Sequence, residues 1–251
     1  MPELTALGWL ALAAGAAVIG LSKAALPGAS TIAVALFAAV LPAKQSTGTI
    51  LLLLIVGDVF ALWAYRRDAD VRALLRLAPA VVAGLLLGVV FLAFASDDGV
   101  RRVIAVLLLA VVAVTLWRRR ASAAAPRQEA SGPHRVAAAV YGALGGFTTM
   151  VANAAGPVMS MYFLAARFPV RAFLGTAAWF FAIVNVSKVP FSIALGLITP
   201  PGLVIVAVLI PVVFGAAFIG RRIATRIDQR LFDRLVIGLT IVGSLYLLLA
   251  P

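Results

Sequence analysis

Uninterrupted runs of Leu, Ala, Val and Ile recur along the whole chain, at residues 6–22, 28–41, 45–65, 73–95, 100–117, 136–152, 156–167, 171–189, 201–220 and 231–250. When helical, runs of this length approach or cross a hydrocarbon slab about 30 Å thick. Strands of a membrane barrel would instead alternate polar and apolar residues over about ten positions, and these runs do not alternate. The pattern predicts an all-α, polytopic integral membrane protein, with no room for a soluble domain between the runs. It is built either of ten segments or of eight full spans with broken or re-entrant half-helices. The two counts differ over residues 6–41 and 136–167, where Gly and Pro split the apolar stretch.

The polar interruptions repeat. Leu41-Pro42-Ala43-Lys44-Gln45-Ser46-Thr47-Gly48-Thr49 is echoed by Phe168-Pro169-Val170-Arg171-Ala172-Phe173-Leu174-Gly175-Thr176. Nine residues beyond each Gly-Thr stands one polar side chain in an apolar run, Asp58 in the first copy and Asn185 in the second. At a slightly larger offset Pro79, Val81, Gly88 and Arg102 fall opposite Pro211, Val213, Gly220 and Arg234. This is an internal duplication, and it predicts one transmembrane repeat over 1–120, a cytoplasmic linker over 121–135 and a second repeat over 136–251. The linker is small, polar and proline-bearing, and reads as flexible. The first half has five runs, an odd number, so the second enters the membrane from the opposite side and the repeats are expected to be inverted. Inverted repeats give two related conformations facing opposite sides, which is the basis of alternating access in many secondary transporters.

Composition fixes the class. With 64% hydrophobic and 12% charged residues the chain carries more apolar surface than a water-soluble core of this size could hide. The net charge of +12 comes from arginines that bracket the hydrophobic runs, a pattern of topology signals rather than of a nucleic-acid face. With the N-terminus outside, the clusters at 66–72, 118–135, Arg167 with Arg171, and 221–230 all fall in the cytoplasm. Lys44 and the pair Arg101-Arg102, diluted by Asp97 and Asp98, are the exceptions. The first run follows Glu3 and no Lys or Arg, so it lacks the basic start of a secretory signal and is expected to stay in the fold. The chain has no cysteine and one histidine, His134, in the linker. No metal-ligand pattern, phosphate loop or nucleophile–base set is present, so neither an enzyme nor a cofactor is expected.

The chemistry then rests on a few polar groups at depth. The first break reads Gly20-Leu21-Ser22-Lys23-Ala24-Ala25-Leu26-Pro27-Gly28, and the second runs from Gly145-Gly146-Phe147-Thr148-Thr149 through Asn153 to Gly156-Pro157. Each proline sits where a new helix would start, and the free N–H groups there would favour an anion. Backbone freed by a broken helix must be satisfied by a cavity, water or ligand. The expected substrate-binding residues are Ser22, Lys23, Pro27, Gly28, Thr148, Thr149, Asn153, Gly156, Asn185 and Lys188. Tight turns at the membrane surface, with Lys23 snorkelling to headgroups, are the alternative. The chain has only three lysines, Lys23, Lys44 and Lys188. Lys188 shares a helical face with Asn185 and precedes Pro190, which is expected to end or kink its helix. A lysine at depth costs about 2.5–3.5 kcal/mol on insertion scales and marks a pathway or a partner. Asp58 is the one acidic residue deep inside an apolar run, Asp233 standing at the start of the last. It would pair with Lys23 or Lys188, either as a structural ion pair or as the ion-coupling carboxylate whose lysine the substrate competes for. Glycines 48, 84, 88, 175, 215 and 220 suit close helix approach.

Taken together, Gly20-Leu21-Ser22-Lys23 with Pro27-Gly28, Gly57-Asp58, Gly145-Gly146-Phe147 through Asn153 and Gly156-Pro157, Gly175-Thr176-Ala177, and Asn185 with Lys188-Val189-Pro190-Phe191 resemble the sulfite exporter TauE/SafE family. The resemblance spans both repeats. It implies a bacterial inner-membrane exporter of small sulfur-containing anions, sulfite or organosulfonates, coupled to an ion gradient. An anion channel or uniporter, or a transporter of another small organic anion, is the rival reading. The expected partners are the anion, protons and membrane lipids, with no nucleic acid, and a homodimer stands beside the monomer as the assembly.

Overall fold

The computed structural model describes residues 4–24, 29–124, 135–166, 168–223 and 229–249. Pro27, Gly28, His134 and most of the linker lie outside the described residues. Among the described residues ten α-helices follow one another: α1 (Ala6–Ala24), α2 (Ser30–Val40), α3 (Ala43–Tyr65), α4 (Val71–Phe94), α5 (Asp97–Ala124), α6 (Arg135–Ala152), α7 (Ala155–Ala165), α8 (Val170–Ala194), α9 (Pro200–Ile223) and α10 (Gln229–Leu249). No strand occurs among the described residues. Six of the helices, α1, α3, α4, α5, α8 and α9, are long and apolar enough to cross a membrane. Both splits expected from Gly and Pro are present, leaving α2 and α7 as short helices of 11 residues each.

Local chemistry explains most boundaries. Pro42 and Pro169 occupy the N-cap positions of α3 and α8, where a missing N–H is harmless. Asp70 caps α4, its carboxylate accepting from the Ala73 N–H at 3.0 Å. Asp97, read above only as a diluting charge, caps α3 from another helix, its two oxygens accepting from the N–H groups of Ala43 (3.0 Å) and Lys44 (2.9 Å). Pro190 does not end α8, which runs on to Ala194. Pro79 and Pro211 likewise lie inside α4 and α9. Membrane helices tolerate such prolines because neighbours re-satisfy the freed carbonyls.

The helices pack in matched pairs. α1 lies along α9 and α6 along α4, α3 is beside α8, and α5 is beside α10. Glycines set the closest approaches. A Cβ added at Gly20 would meet the Val213 carbonyl oxygen and the Ala217 nitrogen, and one added at Gly146 would meet the Val81 oxygen and the Leu85 nitrogen. Val213 and Val81 are the residues paired by the sequence echo. Gly48 is pressed in the same way against Leu197 in the α8–α9 connection, and Gly175 against Asp68 in the 3₁₀ turn (Arg66–Asp68) that joins α3 to α4. These two contacts tie the start of each central helix to the end of the other, so α3 and α8 run antiparallel. Gly84 and Gly88 meet Ala143 and Met150 of α6 as small-residue packing requires. Gly215 is a correction: nothing lies within 4 Å of the Cβ it would carry, so it marks no close approach.

Candidate functional site

The end of α1 and the turn between α6 and α7 meet the middle of α3 and α8. From α3, Asp58 is 2% exposed, and its Oδ1 accepts from Lys23 Nζ at 2.5 Å. Its Oδ2 accepts from Asn185 Nδ2 of α8 at 2.7 Å. Lys188, one turn on, is 1% exposed and donates to Asn153 Oδ1 at 2.6 Å, Thr149 Oγ1 at 3.2 Å and Asn185 Oδ1 at 3.4 Å. Asn153 Nδ2 in turn donates to the Thr47 carbonyl at 3.0 Å. Both asparagines are oriented by necessity, since a carboxylate only accepts and an ammonium only donates. The result is one hydrogen-bonded chain, Lys23–Asp58–Asn185–Lys188–Asn153, running across both halves of the sequence. Taken one at a time, a lysine or carboxylate at this depth is expensive; linked, each charge has its partners.

Asn153 stands in the α6–α7 break with φ 51°, in the left-handed region that Asn enters more readily than most residues. That turn carries its amide into reach of both Lys188 and the α3 backbone. Beyond it, α7 begins at Ala155, so Gly156 and Pro157 lie in its first turn rather than ahead of it. α2 begins at Ser30.

A cavity of about 50 Å³ opens beside this chain, room for a few waters or a small oxyanion. Ser22, Lys23, Asp58, Thr149, Asn153, Gly156 and Asn185 line it, together with Ser30, Leu54, Ala61, Tyr65, Leu174, Ala177, Ala178 and Phe181. Thus seven of the residues singled out in the sequence face one space. Lys188 lies behind the wall, held by Asn153, Thr149 and Asn185. Thr148 is not in the lining: its hydroxyl donates back to the Leu144 carbonyl at 2.7 Å. Ser22 makes the corresponding bond to Ile19 at 2.9 Å. Pro27 and Gly28 lie outside the described residues.

The residues missed in the sequence are mostly apolar. Phe181 sits under the Lys23 ammonium, its ring centre 4.8 Å from Nζ, a cation–π contact of about 0.5–2 kcal/mol. Nothing distinguished it from a lipid-facing phenylalanine. Ser30 carried a readable signal, a hydroxyl in the first turn of a helix that follows a membrane break.

Chemically the site favours an anion. Lys23 on the wall and Lys188 behind it outnumber the one carboxylate, and the first turns of two helices, through Ser30 and Gly156, border the same space. Helix starts present unpaired N–H groups and partial positive charge. A small oxyanion there could accept from Lys23, the Ser30 hydroxyl and the second N–H of the Asn185 amide, whereas the Ser22 hydroxyl is spent on Ile19.

Among the described residues the cavity extends toward one end of the two central helices. Its lining reaches Tyr65, the last residue of α3, and Leu174, near the start of α8, both half-buried. Along the same two helices in the other direction, Ile50, Leu51, Lys188 and Ser192 are each 1% exposed and Thr47 is 3%.

The sequence profile of the family described as Sulfite exporter TauE/SafE matches residues 12–247. No curated protein and no solved structure matches the chain.

Proposed function

The chain belongs to the sulfite exporter TauE/SafE family, and from that premise we propose that it is a secondary transporter that exports small sulfur-containing anions, sulfite or an organosulfonate, by alternating access. The observation that carries the proposal is the cavity bordered by Lys23, Asp58 and two helix starts. The anion takes hydrogen bonds from Lys23 and displaces it from Asp58. The freed carboxylate then takes a proton, so that binding and proton movement are linked at one atom pair. Asn185, at the matched position, cannot titrate, so a single proton carrier serves both halves.

Two inverted repeats, 1–120 and 136–251, form the machine in this reading. The exchange of glycine contacts and the antiparallel course of α3 and α8 support that relation. In this reading the mouth lies at Tyr65, beside Arg66 and Arg67, which the positive-inside bias assigns to the cytoplasm of a bacterial inner membrane. The described state is then inward-open. The closed opposite end favours alternating access over a continuously open anion channel.

The test is flux of labelled sulfite, sulfate and a small organosulfonate through proteoliposomes, with and without an imposed pH gradient, for wild type and Asp58→Asn. Gradient-stimulated flux that the substitution removes is the expected result. Flux indifferent to gradient and substitution would instead make the protein a uniporter or channel and leave Asp58 as a structural partner of Lys23.

A further inference from the structure

The two central helices carry the cavity on matched faces, and the match extends past it. Shifting by the 127 residues that separate Asp58 from Asn185 turns Leu54, Ala61 and Tyr65 of the cavity wall into Phe181, Lys188 and Ser192. The same shift in reverse turns Leu174, Ala177 and Ala178 into Thr47, Ile50 and Leu51. Leu54 and Phe181 exchange with one another and line the cavity already. The remaining images, Lys188, Ser192, Thr47, Ile50 and Leu51, are all buried and lie past the Asp58–Asn185 bond, toward the start of α3 and the end of α8.

The breaks obey a related shift. Gly20 and Gly146 make the same backbone contacts, so Ser22 corresponds to Thr148 and Lys23 to Thr149. Each half therefore supplies one lysine, but from different elements. In the first, the lysine is on the break (Lys23) and the helix carries Ala61. In the second, the break carries Thr149 and the lysine is on the helix (Lys188).

We propose that these buried residues are the wall of a second anion subsite, closed in this structure, in which Lys188 takes the part that Lys23 plays in the open cavity. The inference rests on the transport reading above and adds to it the place and chemistry of the opposite opening. When the mouth at Tyr65 closes, the Ser192 end opens, and a small oxyanion meets Lys188 with the Thr149 hydroxyl and the Asn153 amide. The Asp58–Asn185 bond lies between the two subsites and belongs to both. Ser192 replaces Tyr65 at the mouth, so the second opening has a smaller, polar rim.

The chain contains no cysteine, so single cysteines can be read without background. Ala177→Cys, Ile50→Cys and Ser192→Cys, each reconstituted, are exposed to membrane-impermeant thiol reagents from either face while organosulfonate flux is measured in the same vesicles. Ala177→Cys is expected to react from the cytoplasmic face, and Ile50→Cys and Ser192→Cys from the other. At Ser192→Cys an anionic reagent, its rate scaled to a free thiol, should outpace a cationic one of equal size several-fold, and Lys188→Gln should remove that preference. Flux with positions 50 and 192 unreactive from both faces, or reactive from the same face as position 177, overturns the second subsite while leaving transport standing. So does reaction from the expected face with no charge preference. Absence of flux for every anion overturns the transport reading and the subsite with it.

Discussion

α3 and α8 occupy matched places, yet they solve the problem of a buried charge differently. α3 holds a carboxylate and borrows its lysine from the last turn of α1, a direct ion pair. α8 holds its own lysine one turn from an amide, and the neutral groups of Asn153, Thr149 and Asn185 surround it. The backbone framework is nearly the same in both, down to the glycines that touch carbonyl oxygens. The lesson is that the packing contacts match across the two halves while the charges are dealt unequally. An ion pair can be broken and remade by a competing anion. A lysine held only by neutral acceptors has no counter-ion for an anion to displace.

The sharpest way to break the comparison is to remove one charge from each side. Asp58→Leu strands Lys23 in a buried setting and should lower stability by about 3–5 kcal/mol, with most of the loss restored in the double variant carrying Lys23→Met as well. Lys188→Met removes a charge without stranding another, and leaves only neutral acceptors unpaired, an effect of about 1–3 kcal/mol. Unfolding of the four proteins in detergent, followed by circular dichroism, orders them. Equal losses for the two single variants would erase the distinction.

The framework is tested by glycines. Gly20→Ala and Gly146→Ala each push a methyl into a backbone carbonyl and should destabilise by about 1–3 kcal/mol, alike within error. Gly215→Ala meets open space and should instead stabilise α9, by about 0.5–1 kcal/mol. Thermal melts of the three variants in one detergent provide the check. A large gap between positions 20 and 146 would show that the two interfaces are not equivalent.

A smaller effect sharpens the second half alone. Asn153→Gly removes the amide from Lys188 but accepts the left-handed backbone, whereas Asn153→Ala loses the amide and strains the turn. The alanine variant should be less stable by a further ~1–2 kcal/mol, the penalty for a side chain at positive φ. Melting the two variants side by side measures that difference.

Much of this was legible in the sequence because membrane helices advertise themselves. The ten apolar runs correspond to the ten helices, with ends shifted by a few residues where capping decided the boundary. Asp58, Asn185 and Lys188 stood out because a polar group in an apolar run is costly and therefore meaningful. The partner choice was not legible: Lys23 and Lys188 were equal candidates for Asp58, and only the approach of the last turn of α1 to α3 selects Lys23. Phe181, Leu174 and Ala177 could not be told from lipid-facing residues, because composition says nothing of which face of an all-apolar helix points inward. Thr148 looked like a donor to substrate and is spent on its own helix, while Gly215 looked like a packing glycine and touches nothing.

The most direct test of the site is equilibrium binding of sulfite to the purified protein by calorimetry, comparing wild type with Lys23→Gln, which keeps a donor to Asp58 but removes the charge. An anion site centred on Lys23 predicts at least a tenfold loss of affinity, about 1.4 kcal/mol, with the helical circular dichroism of wild type retained. Unchanged affinity in a folded variant would contradict it and move the anion away from the Lys23–Asp58 pair.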